Sequence, residues 1–118
     1  MRVCKRFKFD AAHLLPGYNG PCSRLHGHTW FLEVEVEGPV DKEGFVMDFS
    51  ELKKLVYDKV LSIVDHSYLN ETVIHNPTCE NLLVWIWNRL DGFGPPWVLS
   101  RIRLYESPDS YAEFVSEG

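Results

Sequence analysis

Between Leu25 and Glu37 the chain alternates. Trp30, Leu32, Val34 and Val36 fall on one side, and Thr29, Glu33, Glu35 and Glu37 on the other. Successive side chains of an extended strand point to opposite faces, so this pattern buries one face and wets the other. A chain carrying such a strand needs partner strands for its edges and a second layer over its apolar face. Residues 2–9 offer one partner, with Val3, Phe7 and Phe9 on one side and Arg6 and Lys8 on the other. The intervening GYNGPCS, residues 17–23, is loop-forming.

After the turn GPVDKEG, residues 45–47 are expected to form a short strand. Asp48 with Glu51 resembles a capping box and opens a helix whose apolar stripe is Leu52, Leu55, Val56, Val60 and Ile63. A second helix starts near Thr78 after Asn76-Pro77, turns Leu82, Leu83, Ile86 and Leu90 inward, and stops at Gly92 and Gly94 before Pro95-Pro96. A hairpin of residues 97–105 and 111–115 turns at Ser107-Pro108-Asp109. The order β-β-β-α-α-β-β implies an α+β fold, an antiparallel four-stranded sheet with two helices on one face. The other face and both edges stay open, and Phe31 sits there among charges, so oligomerisation is expected.

Composition removes several function classes. The length of 118 residues suits a single domain, residues 1–118, and 45% hydrophobic with 25% charged residues is ordinary for a folded globule. A net charge of −5 gives no electrostatic case for nucleic acid or an anionic membrane. No apolar run approaches the ~20 residues of a membrane-spanning helix, and MRVCKRFKFD has no secretory apolar core. Three scattered cysteines make no disulfide framework, so a reduced, cytoplasmic protein is expected.

The chemistry concentrates around His26-Gly27-His28. Residues i and i+2 of a strand point the same way, so two imidazoles enter the apolar face side by side, where a metal ion satisfies both. Hydrogen bonds to backbone at a strand start are the alternative. His13 ends the first strand, and antiparallel pairing brings it to the other two. Three neutral nitrogens with an open fourth position describe catalytic zinc, whereas Cys22 as fourth ligand would close a structural site. Asp65-His66 follows the first helix, where an acid can orient an imidazole for proton transfer; a helix-capping histidine is the plain alternative. Glu106 shares its strand face with Ile102 and Leu104, and a carboxylate turned inward there matches a planar two-donor edge; an exposed strand-end glutamate is the alternative. Cys4 and Cys79 read as small packing residues.

Phe9-Asp-Ala-Ala-His13, Cys22-Ser-Arg-Leu-His26-Gly-His28, Met47-Asp-Phe49, Asp65-His-Ser-Tyr-Leu-Asn70, Asn76-Pro-Thr-Cys-Glu-Asn81 and Glu106 occur in this order. Together they resemble the 6-pyruvoyltetrahydropterin synthase family. The three residues between Cys22 and His26 look like its 6-carboxytetrahydropterin synthase branch, of queuosine biosynthesis. The resemblance implies a tunnelling fold: sheets of three subunits close a barrel, and two trimers stack into a homohexamer with active sites between subunits. It implies a lyase that turns 7,8-dihydroneopterin triphosphate into 6-carboxy-5,6,7,8-tetrahydropterin, acetaldehyde and triphosphate. His13, His26 and His28 would hold Zn²⁺, Cys22 would be the general base, and Asp65 with His66 the proton relay. Glu106 would anchor the pterin, with Thr78 and Glu80 lining its pocket. The pyruvoyl synthase reaction, or a non-catalytic zinc- or pterin-binding protein, are the competing readings.

Overall fold

The structure, a computed structural model, describes residues 1–20, 24–92 and 96–117. Its frame is two twelve-residue strands, β1 (Arg2–His13) and β2 (His26–Glu37), paired antiparallel along their whole length. The alternation sets the register: Phe7 lies opposite Leu32, Phe9 opposite Trp30, and His13 opposite His26. Trp30 and Leu32 are wholly buried, as are Ile102 and Leu104 on β4 (Val98–Ser107). β5 (Ser110–Val115) completes the hairpin. At a bulge opposite Glu35 and Val36, Leu99 and Ser100 are both buried, and the Ser100 hydroxyl is within hydrogen-bond distance of the Glu35 carbonyl and carboxylate on the charged face.

The sheet has five strands in the order β3-β1-β2-β4-β5 and is mixed, not the antiparallel four-stranded sheet expected. The extra strand, β3 (Ser67–Tyr68), pairs in parallel with Ala11 and Ala12 of β1. Residues 45–47 form no strand among the described residues. The Asp41 carboxylate accepts from the Glu43 and Phe45 amides, and Asp41 N donates to the Phe45 carbonyl, so the backbone is satisfied within a turn. Val46 and Met47 then bury against the core without pairing.

Helices cover one face. α1 (Phe49–Val56) is capped by Asp48, whose carboxylate accepts from the Ser50 amide. It continues through a π-helical segment, Tyr57–Leu61, into a last turn, α2 (Ser62–Val64). The buried stripe is Leu52, Val56, Val60 and Val64, each at 0% exposure, so Val64 takes the place expected for Ile63. A strict four-residue spacing drifts around an α-helix of 3.6 residues per turn; the wider π turn cancels the drift. A single turn, α3 (Leu69–Thr72), leads to α4 (Cys79–Leu90), capped by Thr78 and closed before Gly92 at φ 92°. No helix among the described residues is long and apolar enough to cross a membrane.

The face away from the helices is charged and aromatic. The Arg6 guanidinium lies 4.5 Å from the Phe31 ring centre and 5.2 Å from that of Tyr105. Arg103 pairs with Glu113 at 2.6 Å across β4 and β5.

Candidate metal centre and active site

The antiparallel register brings His13, at the end of β1, to His26 and His28, at the start of β2, all on the helix-facing side. His13 is fully buried, and its Nδ1 donates to the Pro77 carbonyl at 2.8 Å. His26 Nδ1 donates to the Arg24 carbonyl at 2.6 Å. A carbonyl can only accept, so in each neutral ring Nε2 carries a lone pair. Those two Nε2 atoms stand 3.0 Å apart with no proton to share. His28 Nε2 is buried without a hydrogen-bond partner among the described residues. Burial, ahead of the influence of Glu106, holds the His28 imidazole below its ordinary range and so favours the neutral ring.

Lone pairs gathered this closely repel one another and are stabilised by a shared cation. Zinc–nitrogen bonds of 2.0–2.1 Å in a tetrahedron place neighbouring donors about 3.3 Å apart. The donor atoms of His13, His26, His28 and Glu106 all lie within 4.8 Å of one another. The observed arrangement fits a small divalent metal, and a set built on three imidazoles suits zinc. The open fourth position expected from the sequence is faced by Glu106, whose Oε1 is 3.2 Å from His13 Nε2 and 3.4 Å from His28 Nε2.

Asp65 and His66 sit in the turn that ends α2, where His66 takes φ 58°, a left-handed conformation rare outside glycine. Two main-chain bonds tie this turn to β1: His66 N donates to the Asp10 carbonyl, and Asp10 N donates to Asp65 Oδ1 at 3.0 Å. The strained backbone brings His66 Nδ1 to 3.0 Å from Asp65 Oδ1. The pair is an oriented acid–imidazole dyad, as its position in a turn requires. His66 and Asp10 line an open depression together with Gly27, His28 and Thr29, so the imidazole of the dyad and one histidine of the candidate metal set border the same space. A Cβ on Gly27 would meet no atom within 4 Å, so this glycine borders open space rather than a packed neighbour.

Glu106 also lines a cavity of about 290 Å³ with Cys79, Glu80, Ser110, Tyr111 and Ala112. Glu80 is thus one of the residues lining this cavity. Thr78 is not among the lining residues: its hydroxyl accepts from Asn81 N as the helix cap. Cys79 Sγ donates to the Leu104 carbonyl, and burial pushes its thiol up to about 11, which keeps it protonated at neutral pH. Cys22 lies outside the described residues. Sequence reasoning gave no role to Asp10, whose carboxylate accepts from Thr29 Oγ1 at 2.6 Å and whose main chain holds the dyad. The register His13 opposite His26 already implies Asp10 opposite Thr29, which is the signal that could have found it.

The family model described as 6-pyruvoyl tetrahydropterin synthase matches residues 2–117. A 6-carboxy-5,6,7,8-tetrahydropterin synthase of Haemophilus influenzae is 36% identical over 138 residues, covering 96% of this chain and 97% of its own. A dihydroneopterin monophosphate aldolase of Pyrococcus furiosus is 45% identical over 106 residues, 89% of each chain. Among solved structures, the 6-pyruvoyl tetrahydropterin synthase of Caenorhabditis elegans superposes with a TM-score of 0.86 at 26% identity, over 99% of this chain and 96% of that one.

Proposed function

The chain belongs to the 6-pyruvoyl tetrahydropterin synthase family and is a lyase of pterin biosynthesis; from that premise we propose that it is a zinc-dependent 6-carboxy-5,6,7,8-tetrahydropterin synthase. The reaction takes 7,8-dihydroneopterin triphosphate and one water to 6-carboxytetrahydropterin, acetaldehyde and triphosphate, a step of queuosine biosynthesis in the cytoplasm. The observation that carries the reading is the convergence of three imidazole donors, two of them with Nε2 fixed as a lone pair by a carbonyl behind the ring.

His13, His26 and His28 would hold the zinc, which would supply Lewis acidity toward the oxygens of the substrate side chain. Glu106 accepts the two N–H groups of the aminopyrimidinone edge, a bidentate match that fixes the ring and hence the side chain. Glu80 and Thr78 shape the pocket, Glu80 on its wall and Thr78 by setting the start of α4. Cys22 removes a proton from the side-chain carbon next to the ring. His66, held by Asp65, carries protons between that thiol and the side chain. One domain spans residues 1–118, and a homohexamer of two stacked trimers completes the sites between subunits. Its barrel would be closed through the open edges β3 and β5.

The test is incubation of zinc-loaded protein with 7,8-dihydroneopterin triphosphate. Acetaldehyde together with 6-carboxytetrahydropterin is expected; triphosphate release with the three-carbon side chain retained would assign the pyruvoyl reaction instead. A second reading rests on the Pyrococcus furiosus aldolase, 45% identical to this chain. The same residues could cleave dihydroneopterin monophosphate between the first two side-chain carbons. A phosphorylated two-carbon aldehyde, beside 6-hydroxymethyldihydropterin, would mark it.

A further inference from the structure

Glu106 stands in a wall between two spaces. On one side its Oε1 lies 3.2 Å from His13 Nε2 and 3.4 Å from His28 Nε2. On the other its side chain lines the cavity shared with Cys79, Glu80 and Tyr111. A neutral imidazole that donates through Nδ1 offers only a lone pair at Nε2, and a carboxylate also offers only lone pairs. His13 and Glu106 therefore meet acceptor to acceptor, with no hydrogen bond to explain the approach. His28 Nε2, buried and unpartnered among the described residues, faces the same oxygen.

The distances supply the explanation. Three of the six separations among the donor atoms of His13, His26, His28 and Glu106, at 3.0, 3.2 and 3.4 Å, bracket the ~3.3 Å edge of a tetrahedral zinc site, and all six are within 4.8 Å. The side chain needed for the pterin edge is thus also placed as a metal ligand. One carboxylate cannot serve both at once: turned to the cavity it accepts two N–H groups, and turned to the histidines it neutralises part of the ion's charge.

We propose that Glu106 is the fourth metal ligand while the pocket is empty, and that it leaves the metal for the aminopyrimidinone edge when a pterin enters. This inference rests on the reading of Glu106 as the pterin anchor. Exchange of the carboxylate raises the net positive charge of the centre and frees one coordination position only when a pterin is present. The metal is then least reactive toward other oxygen ligands in the resting protein.

The experiment uses the full chain loaded with cobalt(II), whose visible absorption reports its ligands. Cobalt affinity is measured by chelator competition for the wild type and E106Q. Absorption spectra of the wild type are then recorded with and without pterin bearing no side chain at C6, its binding followed by fluorescence. An affinity loss of tenfold or more in E106Q is expected, together with a pterin-induced change in the wild-type spectrum. Equal affinities would overturn the proposal, as would a spectrum unmoved at saturating pterin or a pterin that fails to bind. The spectral arm needs no variant, so it stands even where E106Q folds poorly. Turnover of dihydroneopterin triphosphate with an unmoved spectrum removes the exchange alone. A moved spectrum without turnover keeps the exchange and removes the reaction assignment.

Discussion

His13 and His26 face each other across the first strand pair with their Nε2 atoms 3.0 Å apart, while Pro77 and Arg24 carbonyls hold the Nδ1 protons behind them. Two acceptors held this close repel in the empty protein and attract a shared cation. Metal removal should therefore cost stability as well as activity. At free zinc 100-fold above its dissociation constant, binding contributes about 2.7 kcal/mol. Chelation is expected to lower the thermal midpoint by several degrees. His13→Ala should retain under a tenth of the wild-type zinc, measured by elemental analysis, and should show no further drop on chelation.

The buried His28 ring sets the direction of the acid response. Its pKa in the folded chain lies below the ordinary ~6.5 of the unfolded one, chiefly through burial. Between those values the unfolded state binds more protons, so stability of the metal-free protein rises with pH. That stability should fall as pH drops below about 6.5 and level off below the folded pKa. Denaturant midpoints with chelator at pH 7.5 and 5.5 measure it, and His28→Gln should flatten this component.

Cys79 borders the cavity beside Glu106, yet its thiol is held near 11 by burial and donates to Leu104 O. It cannot act as a base at neutral pH. Cys79→Ser is expected to keep kcat/KM within about threefold, because a hydroxyl can make the same bond, while Cys22→Ala loses turnover by ~10² or more and keeps its zinc. The opposite pattern would exchange the roles of the two thiols.

Asp65 makes two contacts that separate on mutation. Asp65→Asn keeps an oxygen for the Asp10 amide but removes the charge beside His66. A loss of ~10²-fold in kcat with little change in thermal midpoint is expected. Asp65→Ala also strands the amide, and an unmade hydrogen bond costs about 1 kcal/mol more in stability.

The π segment Tyr57–Leu61 winds the helix so that Val64 stays buried and Asp65 leaves at the right angle to β1. Arg89 Nε donates to the Lys59 carbonyl within it. Excision of Asp58 should return this stretch to ordinary α winding, with Leu52, Val56, Val60 and Val64 then four, three and four residues apart, an α period that keeps all four on the core face. Zinc content by elemental analysis should be unchanged and kcat should stay within about threefold; a loss of ~10² in kcat would show that the π winding itself aims the Asp65–His66 turn.

The metal-facing set was legible because it follows from parity and pairing alone. His26 and His28 share a face, and antiparallel pairing from the loop after β1 leaves His13 beside them. The α4 cap at Thr78 and its stripe of Leu82, Leu83, Ile86 and Leu90 were equally local. What stayed hidden depends on structure between elements. Ile63 fits a 3.6-residue period, and only the π winding hands its place to Val64. Residues 45–47 carry strand-like side chains, but Asp41 takes up the Phe45 amide and carbonyl in a turn. The two-residue strand β3 is too short for any periodicity and exists through its contact with Ala11 and Ala12. Glu106 was readable as inward-facing; its approach to His13 and His28 required the β2–β4 register.

β1 serves both halves of the site from one run of four residues: His13 turns to the metal side, while Asp10 turns to the other face and holds the Asp65–His66 turn through its main chain. A single inserted or deleted residue between them would swap the faces and separate the two functions in one event. Length variation in descendants of this chain should therefore be excluded from residues 10–13 and tolerated in the connections at 15–20 and 38–44. Those four residues are thus inherited as a fixed length, whatever happens to the identities of the residues around them.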